Sequence, residues 1–334
     1  MKIVVRTPNW VGDAVMALPA VDDLKRNHPE AEVWVAGPPW AEDLFLRAPK
    51  GGGFVPLGRL RSAGDVSRAA DTLKAHRFDA GLLLTNSFAS ALLFRRAGIP
   101  ERWGYRRDGR GLLLTKGVGR RDGGRTGHMV RYYLDLIEGL GMRVSPPEIR
   151  LAVRDDERAR AAGILRAAGA DPARPVVILN AGASYGPAKR WPTDRFAEAG
   201  ERLAAAFGAV LVLTGSAEDA AVGEELSSRL GPKAVNLVGR TSLRELLATV
   251  SLASLFITND TGPMHLANAL RVPVVAVFGP TDPAVTAPFH PPAVVLRKEA
   301  VCWPCLYRAC PYDHRCMAAV AVDDVLAAAE EFLR

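Results

Sequence analysis

The stretch "LFITNDTGPMHLANALRVPVVAVFGPTDP", residues 255–283, carries the fold in miniature. The apolar run 255–260 reads as a strand, 262–270 as a helix and 272–279 as a second strand. Turn residues mark each junction. The same alternation extends toward the N-terminus. "PVVILN" (175–180) and "AVLVLTG" (209–215) read as strands, with helices over 194–207, 218–230 and 242–251. Before residue 175 the pattern resets. "GMRVSPPEIRLAV" has the turn residues of a connector, and "RDDERARAAGILRAAGA" is a helix that ends at glycine.

The first part of the chain repeats the scheme. Lys2-Ile-Val-Val-Arg opens it as a buried strand, with further strands over 32–36 and 80–84. Helices are expected over 13–27, 64–76 and 88–97. Strands alternating with helices argue for parallel sheets covered on both faces. The expected fold class is α/β, as two doubly wound domains in tandem, residues 1–165 and 170–334. A final helix, 323–333, has the option of packing back on the first domain. Ligands of such sheets sit beyond the carboxyl ends of the strands, so each domain is expected to offer one lip of a shared cleft.

Composition narrows the function. The 334 residues are 49% hydrophobic and 24% charged, the balance of a globular chain in water, and no apolar run is long enough to span a bilayer. The first strand begins at once, without the basic segment, apolar core and cleavage site of a secretory leader, so a cytoplasmic location is expected. A net charge of +7 suits an anionic partner. No zinc-finger, RNA-recognition or homeodomain signature accompanies it, which sets nucleic acid aside. The chain also lacks a P-loop, a G-x-G-x-x-G after the first strand and a G-x-S-x-G elbow.

Four loops at expected strand ends carry the chemistry. In "PNWVGD" (8–13), Gly12 permits a tight turn and close backbone approach. Asp13 stands where a helix begins, either as a cap for free amides or as a general base. In "NAGASYGPAKRWP" (180–192), small residues let the main chain curl round phosphate oxygens. Ser184 adds a hydroxyl there, and Lys189 and Arg190 add positive charge. A solvated basic pair is the plainer alternative. In "LTGSAED" (213–219), Glu218 sits where an acid accepts from a ribose hydroxyl, while Ser216 to Asp219 reads equally well as a capping box. In the opening stretch, the Thr261 and Gly262 amides begin a helix and make a diphosphate cradle. His265 lies one turn further on. Asp260 is an awkward neighbour for phosphate, so a sugar hydroxyl is its expected partner.

Taken together, "NWVGDAVMALPA", "GASYGPAKRWP", "LTGSAED", "TNDTGPMHLA" and "VPVVAVFGPTDP" closely resemble the ADP-heptose:lipopolysaccharide heptosyltransferases, glycosyltransferase family 9, with the heptosyltransferase II branch nearest. The resemblance runs from Lys2 to about Pro283, in order. It implies the GT-B fold, two facing Rossmann-like domains with an interdomain cleft. It also implies inverting transfer of heptose from ADP-L-glycero-D-manno-heptose to the first heptose of the lipopolysaccharide inner core, with no cofactor required for catalysis. Asp13 then matches the family's proposed base, and Lys189 the lysine that neutralises departing ADP. Gly12, Ser184, Tyr185, Glu218, Asp260, Thr261, Gly262 and His265 match donor-side positions, with Tyr185 bulkier than the family's usual hydroxyl residue.

The implied acceptor is an anionic glycolipid, lipid A–Kdo–heptose, at the inner-membrane surface. Between Arg102 and Arg131 lie nine Arg or Lys and two acids, Asp108 and Asp122. Arg102, Arg106 and Arg107 are the acceptor candidates, and Trp103 and Tyr105 are candidates to pack on sugar faces. A basic run of this kind is also suited to an anionic membrane, at roughly 1 kcal/mol per residue near the surface, which gives a peripheral cytosolic location.

All four cysteines fall within fifteen residues, at Cys302, Cys305, Cys310 and Cys316. In a reducing cytosol such clustering makes them candidate ligands of a structural zinc or iron, with reduced, partly buried thiols as the alternative. One protein-modifying heptosyltransferase branch resembles it in carrying a four-cysteine iron finger. Two competing functions follow: a heptosyltransferase for protein or another glycan, and a nucleotide-binding protein without transfer activity.

Overall fold

The structure is a computed structural model, and it describes residues 1–45, 52–119 and 127–334. Four of the basic run's members, Arg120, Arg121, Asp122 and Arg125, lie outside the described residues. The chain divides into two units, Met1–Ile149 and Arg150–Arg334.

The first unit contains β1 (Lys2–Arg6), β2 (Glu32–Gly37), β3 (Phe54–Pro56), β4 (Ala80–Leu83), β5 (Glu101–Tyr105) and β6 (Lys116–Val118). Around them lie α1 (Val11–Met16), α2 (Leu18–Asn27), α3 (Glu42–Phe45), α4 (Ala63–Lys74), α5 (Phe88–Arg96) and α6 (Met129–Gly139). All pairings are parallel, in the order β3-β2-β1-β4-β5-β6, with Ile3 opposite both Val33 and Ala80. Residues Ile3 to Val5 are fully buried because helices cover both faces of the sheet.

The second unit repeats the plan with β7 (Val176–Asn180), β8 (Val210–Leu213), β9 (Ala234–Asn236), β10 (Leu255–Asn259), β11 (Val274–Val277) and β12 (Ala293–Leu296). Its helices are α7 (Asp155–Ala167), α8 (Thr193–Phe207), α9 (Ala220–Leu230), α10 (Leu243–Val250), α11 (Gly262–Ala269), α12 (Pro283–Thr286), α13 (Arg315–Ala318) and α14 (Val322–Leu333). The sheet order is β12-β11-β10-β7-β8-β9. Counted from the first strand of each unit, both sheets follow the doubly wound order 3-2-1-4-5-6. Strand order reverses between β1 and β4 in one sheet and between β7 and β10 in the other. Those are the switch points where such sheets open to a ligand.

Several boundaries differ from the sequence reading, each for a local reason. The helix expected over 13–27 is two helices parted at Ala17, with Pro19 in the first turn of the second, where its missing N–H costs nothing. The second unit starts at Arg150 rather than near residue 170. The Arg244 guanidinium of α10 holds Glu157 of α7 at 2.5 Å, and Leu165 joins that unit's core. The last helix packs on α8 and on β10 to β12, where Val325 and Ala329 share a core with Trp191 and Phe196. Trp103 and Tyr105 belong to β5 and are buried, Trp103 stacked on His28 and the Tyr105 hydroxyl donating to the Tyr132 carbonyl at 2.6 Å. They are core side chains and present no face to a sugar. Among the described residues no helix is long and apolar enough to cross a membrane.

Candidate active site

The second unit's switch point is where its polar side chains converge. Asn180 ends β7 and Asn259 ends β10, both fully inside. Asn180 donates to the Thr214 carbonyl at 2.9 Å. Asn259 donates to the Ala181 carbonyl at 2.9 Å and accepts from the Trp191 amide at 2.9 Å. These side-chain amides tie the loop after β7 to the ends of β8 and β10, so the loop's path is fixed by the strands below it.

Lys189 sits on that loop, only 9% exposed, with its ammonium 2.5 Å from Asp260 Oδ2. Asp260 follows β10, so the ion pair spans the switch point. Thr281 donates its hydroxyl to the same oxygen at 2.6 Å, and Thr286 donates to Oδ1 at 3.4 Å. A buried carboxylate is costly unless its oxygens are paired and hydrogen-bonded, as these are. The sequence reading gave Asp260 a sugar hydroxyl as partner. Here its partners are Lys189 and two threonines, and Lys189 is no solvated surface lysine. Thr281 stood in a quoted motif without a role, since nothing in its spacing shows which acid it will face.

Tyr185 lies under the same cation, with the Lys189 ammonium 4.7 Å from the ring centroid and its hydroxyl donating to the Leu306 carbonyl at 2.6 Å. Ser184 beside it is exposed. Past Asp260, Thr261 is the N-cap of α11 in an extended conformation, its hydroxyl making no capping bond, and Pro263 stands in the helix's first turn. The helix therefore opens on the Thr261 and Gly262 main chain, with His265 buried one turn in.

The third loop contains the Ser216–Asp219 capping box. Asp219 is the buried member, accepting from the Ser216 amide at 3.1 Å and hydroxyl at 2.7 Å, with Arg190 at 3.3 Å. Gly182 is required opposite, because a Cβ there would sit 2.3 Å from the Asp219 carboxyl carbon. Glu218 is exposed at the rim of that loop.

In the first unit, Arg6 ends β1 fully buried, and burial pushes its guanidinium down to about 10. It donates to the Thr7 carbonyl at 2.8 Å and to Asn9 Oδ1 at 2.9 Å, which shapes the turn leading to Asp13. The N-cap of α1 is Trp10, so Gly12 and Asp13 lie inside the helix's first turn, Gly12 buried and Asp13 half-buried. Burial, and after it the negative charge of Asp13, raises the Tyr133 phenol well above its ordinary value. That places α6 beside the candidate base. Gly12 adjoins Asp13 in that first turn.

The basic candidates divide. Arg102 donates to the carbonyls of Ile99 at 2.6 Å, Pro100 at 2.9 Å and Leu113 at 2.7 Å, so its guanidinium is committed to the backbone. Arg106 and Arg107 are exposed. Arg110, part of the run but given no role from sequence, is fully buried and bonds Tyr105, Thr85 and Asn86, clamping the loop after β4 to the turn after β5.

A family model of glycosyltransferase family 9 (heptosyltransferase) matches residues 66–315. The chain belongs to glycosyltransferase family 9. Lipopolysaccharide heptosyltransferase 2 of Salmonella typhimurium is 33% identical over 312 residues, 89% of this chain and 88% of that protein. The solved E. coli ADP-heptose lps heptosyltransferase II superposes with a TM-score of 0.84 at 30% identity, covering 100% of this chain and 98% of that one. An E. coli heptosyltransferase solved with ADP shares the fold at a TM-score of 0.74 and 18% identity, over 99% of each chain. This family-9 chain is a glycosyltransferase of the GT-B class, and its two parallel six-stranded sheets are those of that class.

Proposed function

We propose that this glycosyltransferase moves heptose from ADP-L-glycero-D-manno-heptose to the first heptose of the lipopolysaccharide inner core. The observation that carries the reading is the likeness to lipopolysaccharide heptosyltransferase 2 over 89% of the chain. In this reading the first unit binds the acceptor and the second the donor.

Asp13 is the general base. Its carboxylate takes the proton of the acceptor hydroxyl as that oxygen bonds to the donor's anomeric carbon. The bond from that carbon to the diphosphate oxygen breaks, and ADP departs with the electron pair. Charge develops on the leaving diphosphate, where Lys189 and the first amides of α11 stabilise it without a metal. An ammonium has three N–H donors. Asp260 takes one and so aims the others at the phosphates. Ser184, exposed on the same loop, contacts a phosphate oxygen, Tyr185 positions Lys189, and Glu218 accepts from the ribose. His265 supports the start of α11 from inside. Arg106 and Arg107 hold acidic groups of the acceptor, while Arg102 shapes the turn that carries them.

The acceptor's membrane fits a surface of the first unit. Leu112 is 93% exposed, and Phe88 is also exposed, on the two segments that Arg110 clamps together. Exposed Arg106 and Arg107 precede Leu112 on the same turn. Apolar tips flanked by arginines suit an anionic lipid surface, and this is the reading for a peripheral cytosolic location.

The four thiols are the donor set for a structural zinc or iron. All of them line one small cavity, and Cys316 is buried. Among the described residues, no three His, Cys, Asp or Glu side chains are disposed around a single ion position. The metal would tie the segment together and takes no part in transfer. Elemental analysis of the purified protein tests it: about one zinc or iron per chain supports the site, and none removes it.

The reaction is tested by acceptor-dependent ADP release from ADP-heptose, using lipid A–Kdo bearing one heptose. Release by the native chain and its loss in Asp13→Ala supports both the transfer and the base. Tight ADP binding with no release would redirect the acceptor to protein or another glycan.

A further inference from the structure

The cysteine segment touches the Lys189 loop and the loop after β11, whose Thr281 bonds Asp260. On the Lys189 loop, the Ala188 amide donates to the Arg308 carbonyl at 3.0 Å, and the Tyr185 hydroxyl donates to Leu306 at 2.6 Å. His314 Nε2 lies 2.7 Å from the Ala188 carbonyl, so that nitrogen carries the proton. The contact is close enough to dictate sequence. Gly186 has φ +152°, and a Cβ there would fall 2.3 Å from the Arg308 carbonyl oxygen. On the opposite loop, Trp303 Nε1 donates to the Thr281 carbonyl at 3.0 Å, and the Leu306 amide donates to Pro280 at 3.1 Å. Thr281 in turn donates its hydroxyl to Asp260. The cavity lined by the four cysteines has Ala188 and Pro280 in its wall, the same two loops again.

We propose that residues 302–316 are a positioning brace: they hold the Lys189 loop and the Thr281 loop in register on Asp260, and the chemical state of their four thiols sets the site's affinity for a nucleoside diphosphate. This rests on the reading of that site as the diphosphate site. Trp303, Tyr185 and His314 are positioning residues, acting through the loops. Coupling of this kind is reciprocal. Whatever the thiols do to nucleotide binding, bound nucleotide does to the thiols.

Every thiol of the chain lies in this segment, so iodoacetamide reports on it alone. Each alkylation forms a sulfur–carbon bond and breaks a carbon–iodine bond, with iodide leaving and the thiol proton passing to solvent. ADP is the probe, measured by calorimetry on the full chain after dialysis against a chelator. Alkylation is expected to weaken ADP binding about tenfold, and saturating ADP to slow alkylation by a similar factor. Tyr185→Phe keeps its ring and loses one hydrogen bond, and Trp303→Phe puts a smaller aromatic ring in place of the indole and loses one hydrogen bond, so each should raise the ADP Kd about fivefold. The donor KM should rise with it while the acceptor KM stays level. Unchanged ADP affinity and donor KM in both variants, or donor and acceptor KM shifting together with the unfolding midpoint, would overturn the brace. A native chain that binds no ADP at all would sink the diphosphate reading itself, which is a different result from ADP binding indifferent to alkylation.

Discussion

Lys189 and Asp260 face each other at 2.5 Å across the second sheet's switch point, each nearly buried. Neither residue is comfortable there alone. A buried charge without its partner costs several kcal/mol, whereas the pair replaced together costs much less.

Asp260→Ala should therefore destabilise the second unit by about 3–5 kcal/mol, read as a drop in the denaturation midpoint. Lys189→Met combined with Asp260→Leu should recover a large part of that loss while leaving ADP binding weak. Equal stability of the single and double variants would mean that the pair is not coupled.

Asp219 and Glu218 are adjacent and should separate cleanly. Asp219→Ala removes the box with Ser216 and should cost about 1 kcal/mol or somewhat more in stability. Glu218→Ala, exposed, should leave the unfolding curve in place and weaken ADP instead. The reverse pattern in paired melts and calorimetry would exchange their roles.

Acid should loosen the α7–α10 junction in a defined window. The Arg244 guanidinium donating to Glu157 holds that carboxyl down at about 2, from an ordinary 4.5. Its folded pKa is the lower one, so the pair's contribution is complete above about pH 4.5. It drains away as pH falls toward 2. Urea midpoints of the native chain and Glu157→Gln should differ at neutral pH and converge across that range. A gap that stays constant would rule this carboxylate out as the source.

Leu112→Asp should abolish cosedimentation with anionic vesicles and leave transfer to a deacylated, water-soluble acceptor untouched. Arg106→Glu with Arg107→Glu should weaken vesicle binding by about 1 kcal/mol per arginine removed, with a steep salt dependence. Vesicle binding that survives all three changes would place the lipid contact elsewhere.

Much of this was readable in the chain, and the failures have physical causes. The strands of the sheet centres were legible because burial on both faces writes an unbroken apolar run, as in Val176–Asn180 and Leu255–Asn259. The sheet margins were not. Glu101–Tyr105 carries Arg102, whose charge is absorbed by backbone carbonyls, so the basic run there gave no sign of a strand. At the site, residue types and loop positions of Lys189 and Asp260 could be read from spacing and family likeness. Their mutual pairing could not, because it depends on how loops seventy residues apart are brought together by the switch point. The same holds for Arg110, an arginine in a basic run that is spent as an internal clamp.

The docking of α14 has a consequence for the order in which the molecule comes into being. The first unit has all of its strands and helices in hand by Ile149, and so can set while the rest is still being synthesised. The second unit cannot. Trp191 and Phe196 wait for Val325 and Ala329, which arrive over a hundred residues later. The nascent chain thus carries an assembled first unit and an unsealed second one, and a break between Ile149 and residue 322 leaves a folded first unit joined to an open core.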